Sequence, residues 1–95
     1  YASSYEIKRM QFLNEWNYKW TKYHGIRIPY INEANIKRNY VPDIRVDMDG
    51  NIFLEEVKGY LTDNDKLKFE AARNFCELKN IKFKILMKGD LESIY

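Results

Sequence analysis

The dipeptide Asp49-Gly50 lies inside residues 41–59, VPDIRVDMDGNIFLEEVKG, and constrains how that segment can fold. A two-residue type I′ hairpin needs positive φ at both central positions, and Asp-Gly is among the few pairs that supply it at little cost. Folding the chain back there sets Met48 opposite Asn51, Val46 opposite Phe53 and Asp43 opposite Glu56. Side chains alternate along a strand, so Asp43, Glu56 and Lys58 share one face, and Ile44, Val46, Phe53 and Val57 make the other apolar. Opposed side chains stand roughly 4.5–5.5 Å apart at Cβ, where like charges destabilise. Two carboxylates placed this way call for a cation, and a lysine beside them completes a set that can hold a metal and a water. Glu55 falls on the apolar face in this register, though a one-residue bulge would exchange it with Glu56. Asp47 shares the acid face nearer the turn and reads as solvated.

Pro42-Asp43 followed by Glu56-Val57-Lys58 on the next strand resembles the PD-(D/E)XK nuclease motif. Tyr40-Val41-Pro42-Asp43 and Glu56-Val57-Lys58-Gly59 are worded much as in phage and transposon nucleases of that superfamily. The chain as a whole looks most like tailed-phage head-completion and Holliday-junction-resolving nucleases. The order helix, strand, PD strand, E-x-K strand, helix, strand agrees as well. This resemblance implies an α/β domain of the α+β type, with the restriction-endonuclease-like core of a small mixed sheet and a helix on each face. It also implies a Mg²⁺ (or Mn²⁺) ion held by Asp43, Glu56 and the backbone carbonyl of Val57. Ser3-Ser4-Tyr5-Glu6 resembles the start of the helix that carries a further acidic residue in many members, which makes Glu6 an additional ligand, direct or through water.

Ninety-five residues suit one domain, spanning residues 1–95, with a hydrophobic core of its own. A hydrophobic fraction of 45% excludes a disordered segment. Net charge is only +2, so the chain is no polycation that binds nucleic acid by bulk charge. Setting aside Glu6, Asp43 and Glu56 as metal ligands leaves sixteen basic against eleven acidic residues, a balance that permits phosphate binding. The single cysteine, Cys76, rules out an intrachain disulfide and a Cys-based zinc site, and its expected place is the core. With no apolar run near the roughly 18–20 residues a bilayer span requires, and no leader pattern, an intracellular setting is expected and no membrane partner. A first residue other than Met, and a last apparent helix over residues 89–95, suggest a fragment of a longer chain.

Ser3 to Glu6 opens a helix of about a dozen residues, with Ile7, Met10 and Leu13 as its stripe and Phe12 and Trp16 beside it. Residues 18–31, aromatic and β-branched, read as a first strand with a preceding turn; residues 32–35 are a polar turn, and residues 36–48 run into the PD strand. Thr62 or Asp63 caps a long helix reaching about Leu78. Its stripe is Leu67, Ala71, Phe75 and Leu78, widened by Ala72 and Cys76, and Lys79-Asn80 closes it. Alternation through Ile81, Phe83, Ile85 and Met87 marks a half-buried strand, which a crossover lays parallel to residues 51–58.

Each candidate has a plainer reading. Asp43 and Glu56 could be solvated acids on an edge hairpin, and Lys58 a structural partner of Glu56. Glu6 sits in the S-x-x-E spacing of a capping box with Ser3. Lys66, Lys68 and Arg73 could be a solvated helix face or a row of phosphate contacts beside the metal, of the kind that positions nucleic acid without reading sequence. His24, with no second His or Cys near it, is a poor metal candidate. Tyr18, Trp20, Tyr23, Tyr30 and Tyr40 are expected in the core or on sheet faces. The favoured reading is a Mg²⁺-dependent DNA endonuclease in which Asp43, Glu56 and Glu6 hold the ion and Lys58 assists the water. A catalytic core this small implies a homodimer, a partner protein or a missing segment for specificity. The rival is a non-catalytic or partner-dependent assembly subunit of a phage or transposition complex.

Overall fold

A computed structural model describes residues 4–87. Helix α1 (Ser4–Glu15) leads into β1 (Lys19–Thr21), then β2 (Ile28–Ile31), β3 (Lys37–Tyr40), β4 (Ile44–Met48) and β5 (Asn51–Lys58). Helix α2 (Asp63–Leu78) and strand β6 (Lys82–Met87) follow. A four-stranded mixed sheet has the order β1-β4-β5-β6, antiparallel except for the parallel β5–β6 pair. Strands β2 and β3 form a separate antiparallel pair. This is the expected α+β architecture, consistent with a restriction-endonuclease-like fold.

The β4–β5 hairpin has the register that Asp49-Gly50 demands: Met48 pairs with Asn51 and Val46 with Phe53. Both turn residues have positive φ, 51° at Asp49 and 81° at Gly50, as a type I′ turn requires. Strand β5 is central and buries Leu54 through Val57, which separates the two layers of the core. On one side Leu13 of α1 packs with Ile44, Val46, Val57 and Leu86. On the other, Phe69, Ala72 and Cys76 of α2 pack with Leu54, Ile28 and Tyr40.

Several expectations need correction. Residues 18–31 form two strands in different sheets, and residues 36–48 are also two, because Val41-Pro42-Asp43 interrupts pairing between β3 and β4. Proline lacks the N–H that a continuous ladder would use. The buried line of α1 runs through Arg9 and Leu13, leaving Ile7 and Trp16 exposed. In α2 the buried line is Asp65, Phe69, Ala72 and Cys76, with Leu78 exposed. Both stripes are rotated because a charged residue occupies a core position, which a hydrophobic pattern cannot credit. Tyr23 is exposed too, whereas Tyr18, Trp20 and Tyr30 are half-buried as expected. Ser3 and the helix expected over residues 89–95 lie outside the described residues.

Arg9 and Glu55 account for the rotation of α1. The Arg9 guanidinium donates through Nε and Nη2 to the two carboxylate oxygens of Glu55, both at 2.8 Å, with both residues buried. A fork of this kind is the geometry in which arginine satisfies a carboxylate fully. It ties α1 to the central strand one residue before Glu56.

Candidate active site

Asp43 ends the Pro42 break and Glu56 lies in the middle of β5, so the hairpin brings the two acids together as its register requires. The Val57 N–H donates to Asp43 Oδ2 at 2.8 Å. The Tyr40 hydroxyl donates to Glu56 Oε1 at 2.7 Å. Within an extended strand the N–H and C=O of one residue point to the same edge, so the Val57 carbonyl also opens toward Asp43. Burial pushes the Glu56 carboxyl up to about 7, and the charge of Asp43 adds to the effect. Asp43 is raised as well, chiefly by burial and further by the charge of Glu6, while the Val57 amide and a hydrogen bond shared with Glu56 oppose the shift. Burial and the nearby Glu56 also drive the Tyr40 phenol far above its usual range, keeping it a neutral donor.

Lys58 is on the same face, with Nζ 3.8 Å from Glu56 Oε2 and 3.3 Å from Asp65 Oδ1. Asp65 arrives there because Thr62 caps α2. The Thr62 N–H and hydroxyl both donate to Asp65 Oδ2 at 2.9 Å, and the Asp65 N–H donates back to the Thr62 hydroxyl. Burial alone would raise the Asp65 carboxyl, but the Thr62 amide and hydroxyl, Lys68 and Lys58 outweigh it and hold it at about 2.

Glu6 lies on α1 and close enough for its charge to act on Asp43, yet its Oε2 is 3.2 Å from Lys22 Nζ. Among the described residues no three His, Cys, Asp or Glu side chains converge as a ready metal cluster. The three cations expected on α2 divide. Lys66 is exposed beside Asp63, Arg73 is exposed, and Lys68 turns inward, its Nζ 3.1 Å from Asp65 Oδ1. Asp47 is half-buried and paired with Arg45 at 3.1 Å rather than solvated.

A family model for the TnsA-like endonuclease N-terminal domain matches residues 6–88. The chain belongs to that family. TnsA-like domains fall within the restriction-endonuclease-like, PD-(D/E)XK superfamily, in agreement with the motif on the β4–β5 hairpin. Among the likenesses drawn from that motif, the transposon nucleases fit this family. No curated protein and no solved structure gives a significant match.

Three residues around the acid pair have roles that pattern alone does not assign. Tyr40, expected in the core or on a sheet face, is the hydrogen-bond donor to Glu56. Asp65 has the spacing of a capping box with Thr62, and that spacing is the signal in the sequence that points to it. His24 is bound into its loop through both ring nitrogens. Its Nδ1 accepts from the Ile26 N–H at 3.0 Å, so Nε2 carries the proton and donates to the Pro42 carbonyl at 2.8 Å. His24 therefore braces the turn that presents Asp43. No helix in the described residues is long and apolar enough to cross a membrane.

Proposed function

We propose that this domain is a metal-dependent endonuclease that hydrolyses DNA phosphodiester bonds. The observation that carries the reading is the opposition of Asp43 and Glu56 on one hairpin, both raised from their ordinary values by burial, with Lys58 beside them. The donor set fits a hard divalent cation such as Mg²⁺ or Mn²⁺. It is all oxygen, and a cation would relieve the mutual repulsion that now favours protonation. Asp43, Glu56 and the Val57 carbonyl would hold the ion, with Glu6 joining directly or through water. A bound ion would polarise the phosphodiester and lower the pKa of the attacking water.

The chain's own residues do the rest. Tyr40 and the Val57 N–H each fix one oxygen of a carboxylate, Glu56 Oε1 and Asp43 Oδ2, and so orient the pair. Lys58 can orient the water or stabilise negative charge gathering on the phosphate. Lys66 and Arg73, both exposed on α2, would make non-specific phosphate contacts. The domain has little surface for reading sequence, so specificity would come from a second copy, from partner proteins or from another segment of the chain. The family points to transposition and to cutting at DNA ends inside the cell. An assembly role without cleavage has no reason to retain two opposed carboxylates, one buried and one half-buried.

Supercoiled plasmid supplies the test. The wild type with Mg²⁺ should convert it to nicked or linear product, whereas EDTA or Asp43→Asn should leave it supercoiled. Conversion that persists in EDTA would contradict the reading.

A further inference from the structure

Asp65 is only 3% exposed although it lies in the first turn of α2. Helix capping explains one of its oxygens, since Oδ2 takes both hydrogen bonds from Thr62. The other has nothing to do with the cap. Oδ1 is shared by Lys68 Nζ at 3.1 Å and Lys58 Nζ at 3.3 Å. Two ammonium groups, one from β5 and one from α2, are thus held within about twice a hydrogen-bond length of each other. Their side chains are 28% and 19% exposed, against 75% for Lys66 two residues before Lys68 on the helix. Lys68 Nζ also stands 5.4 Å from the centre of the Tyr40 ring, whose hydroxyl bonds Glu56.

With Lys58 Nζ 3.8 Å from Glu56 Oε2, two carboxylates balance the two ammonium groups in the metal-free protein. Once Glu56 serves a divalent ion, Asp65 alone remains for both and the pair carries surplus positive charge. Glu56 is the next acid within reach, and it belongs to the set that would face the metal. Surplus charge at this place, partly withdrawn from water and adjoining the carboxylates, suits a tetrahedral anion with several acceptor oxygens.

We propose that Asp65 is a positioning residue that clamps Lys58 and Lys68 into a paired-ammonium cradle for one phosphate of the DNA, beside the Asp43–Glu56 carboxylates. Lys68 is then a substrate-binding residue of the site itself. This inference rests on the nuclease reading for its substrate and goes beyond it in assigning Asp65 and re-assigning Lys68.

The test compares Asp65→Asn, Lys68→Ala and Asp63→Asn with the wild type. Two readouts are taken: DNA binding in EDTA across a salt series, and cleavage kinetics with Mg²⁺. Asp65→Asn keeps the volume and an acceptor for Thr62 but releases the lysines. It should lower kcat at least tenfold without weakening DNA binding, because it removes a negative charge. Lys68→Ala should weaken binding and reduce the slope of log K against log salt by about one, the signature of one lost phosphate contact. Asp63→Asn, which removes an exposed first-turn charge of the same helix and leaves Asp65 in place, should keep kcat within about twofold. Folded Asp65→Asn that cuts like the wild type would reduce Asp65 to a helix cap and overturn the proposal. An unchanged salt slope in Lys68→Ala would overturn the cradle, and this readout also decides if Asp65→Asn does not fold. A wild type that binds DNA and never cuts would remove the nuclease reading, leaving the cradle to be judged by the salt slope.

Discussion

Replacing Arg9 by Met should cost this domain a large share of its stability, although Arg9 touches no carboxylate of the candidate site. Arg9 and Glu55 are buried and joined by two hydrogen bonds of 2.8 Å. Arg9→Met leaves the Glu55 carboxylate in the core with no partner, a loss of about 3–5 kcal/mol for pairs of this kind. Domains have only about 5–15 kcal/mol in total. At this size each kcal/mol moves the melting temperature by roughly 4–8 °C, so the variant should melt more than about 12 °C lower. The same reasoning sets the outcome for the double variant Arg9→Met with Glu55→Leu. Apolar residues of similar volume replace the pair and no charge is orphaned, so stability should return to the wild-type level or exceed it by about 1–4 kcal/mol. Urea unfolding followed by the fluorescence of Trp16 and Trp20 measures all three proteins. A single variant that loses less than about 1 kcal/mol, or a double variant as damaged as the single, would refute this account of the α1–β5 contact.

Glu56→Gln keeps the Tyr40 hydrogen bond and removes the repulsion with Asp43. It should stabilise the metal-free fold by roughly 1–3 kcal/mol at pH 8 while cutting DNA at least a hundredfold more slowly, measured by thermal melting and plasmid cleavage. Because folding raises the Glu56 carboxyl to about 7 and raises Asp43 as well, the folded state binds more protons than the unfolded chain between the ordinary carboxylate range and pH 7. Stability of the metal-free protein should therefore fall as pH rises through that window. Over the same window Mn²⁺ affinity should climb and then level above about pH 7, since the ion must displace the proton; calorimetric titration at pH 5.5, 6.5 and 8 checks the sign. His24→Ala should lower stability by about 1–2 kcal/mol by freeing the Pro42 carbonyl and the Ile26 amide, a loss readable by circular dichroism.

The parts legible in the sequence were those fixed by local chemistry. Asp49-Gly50 fixed the turn, the turn fixed the register, and the register set Asp43 against Glu56. The capping residue Thr62 and the terminating Asn80, which has φ of 57°, bounded α2. The alternating run ending at Met87 revealed the parallel β6. The hidden parts were those in which a charge occupies a core position. Arg9 and Glu55 satisfy each other across 46 positions of sequence, and no window on either one predicts the partner. Glu55 did hold a clue, since the register set it on the apolar face with Ile44 and Val46, where a charge must find a cation. Asp65 likewise displaced the buried line of α2 away from Leu67 and Leu78. The division of residues 18–48 among β1 to β4 depended on Pro42 ending one sheet and starting another, a tertiary choice that alternation alone does not reveal.

The most direct measurement of the central claim is cleavage of labelled linear, nicked and branched DNA with Mg²⁺ or Mn²⁺, wild type beside Lys58→Ala. The account predicts metal-dependent cutting of at least one substrate, abolished by EDTA and reduced at least a hundredfold in Lys58→Ala. Folded wild-type protein that binds these DNAs and cuts none of them with either metal, or a Lys58→Ala variant that cuts as fast as the wild type, would contradict it.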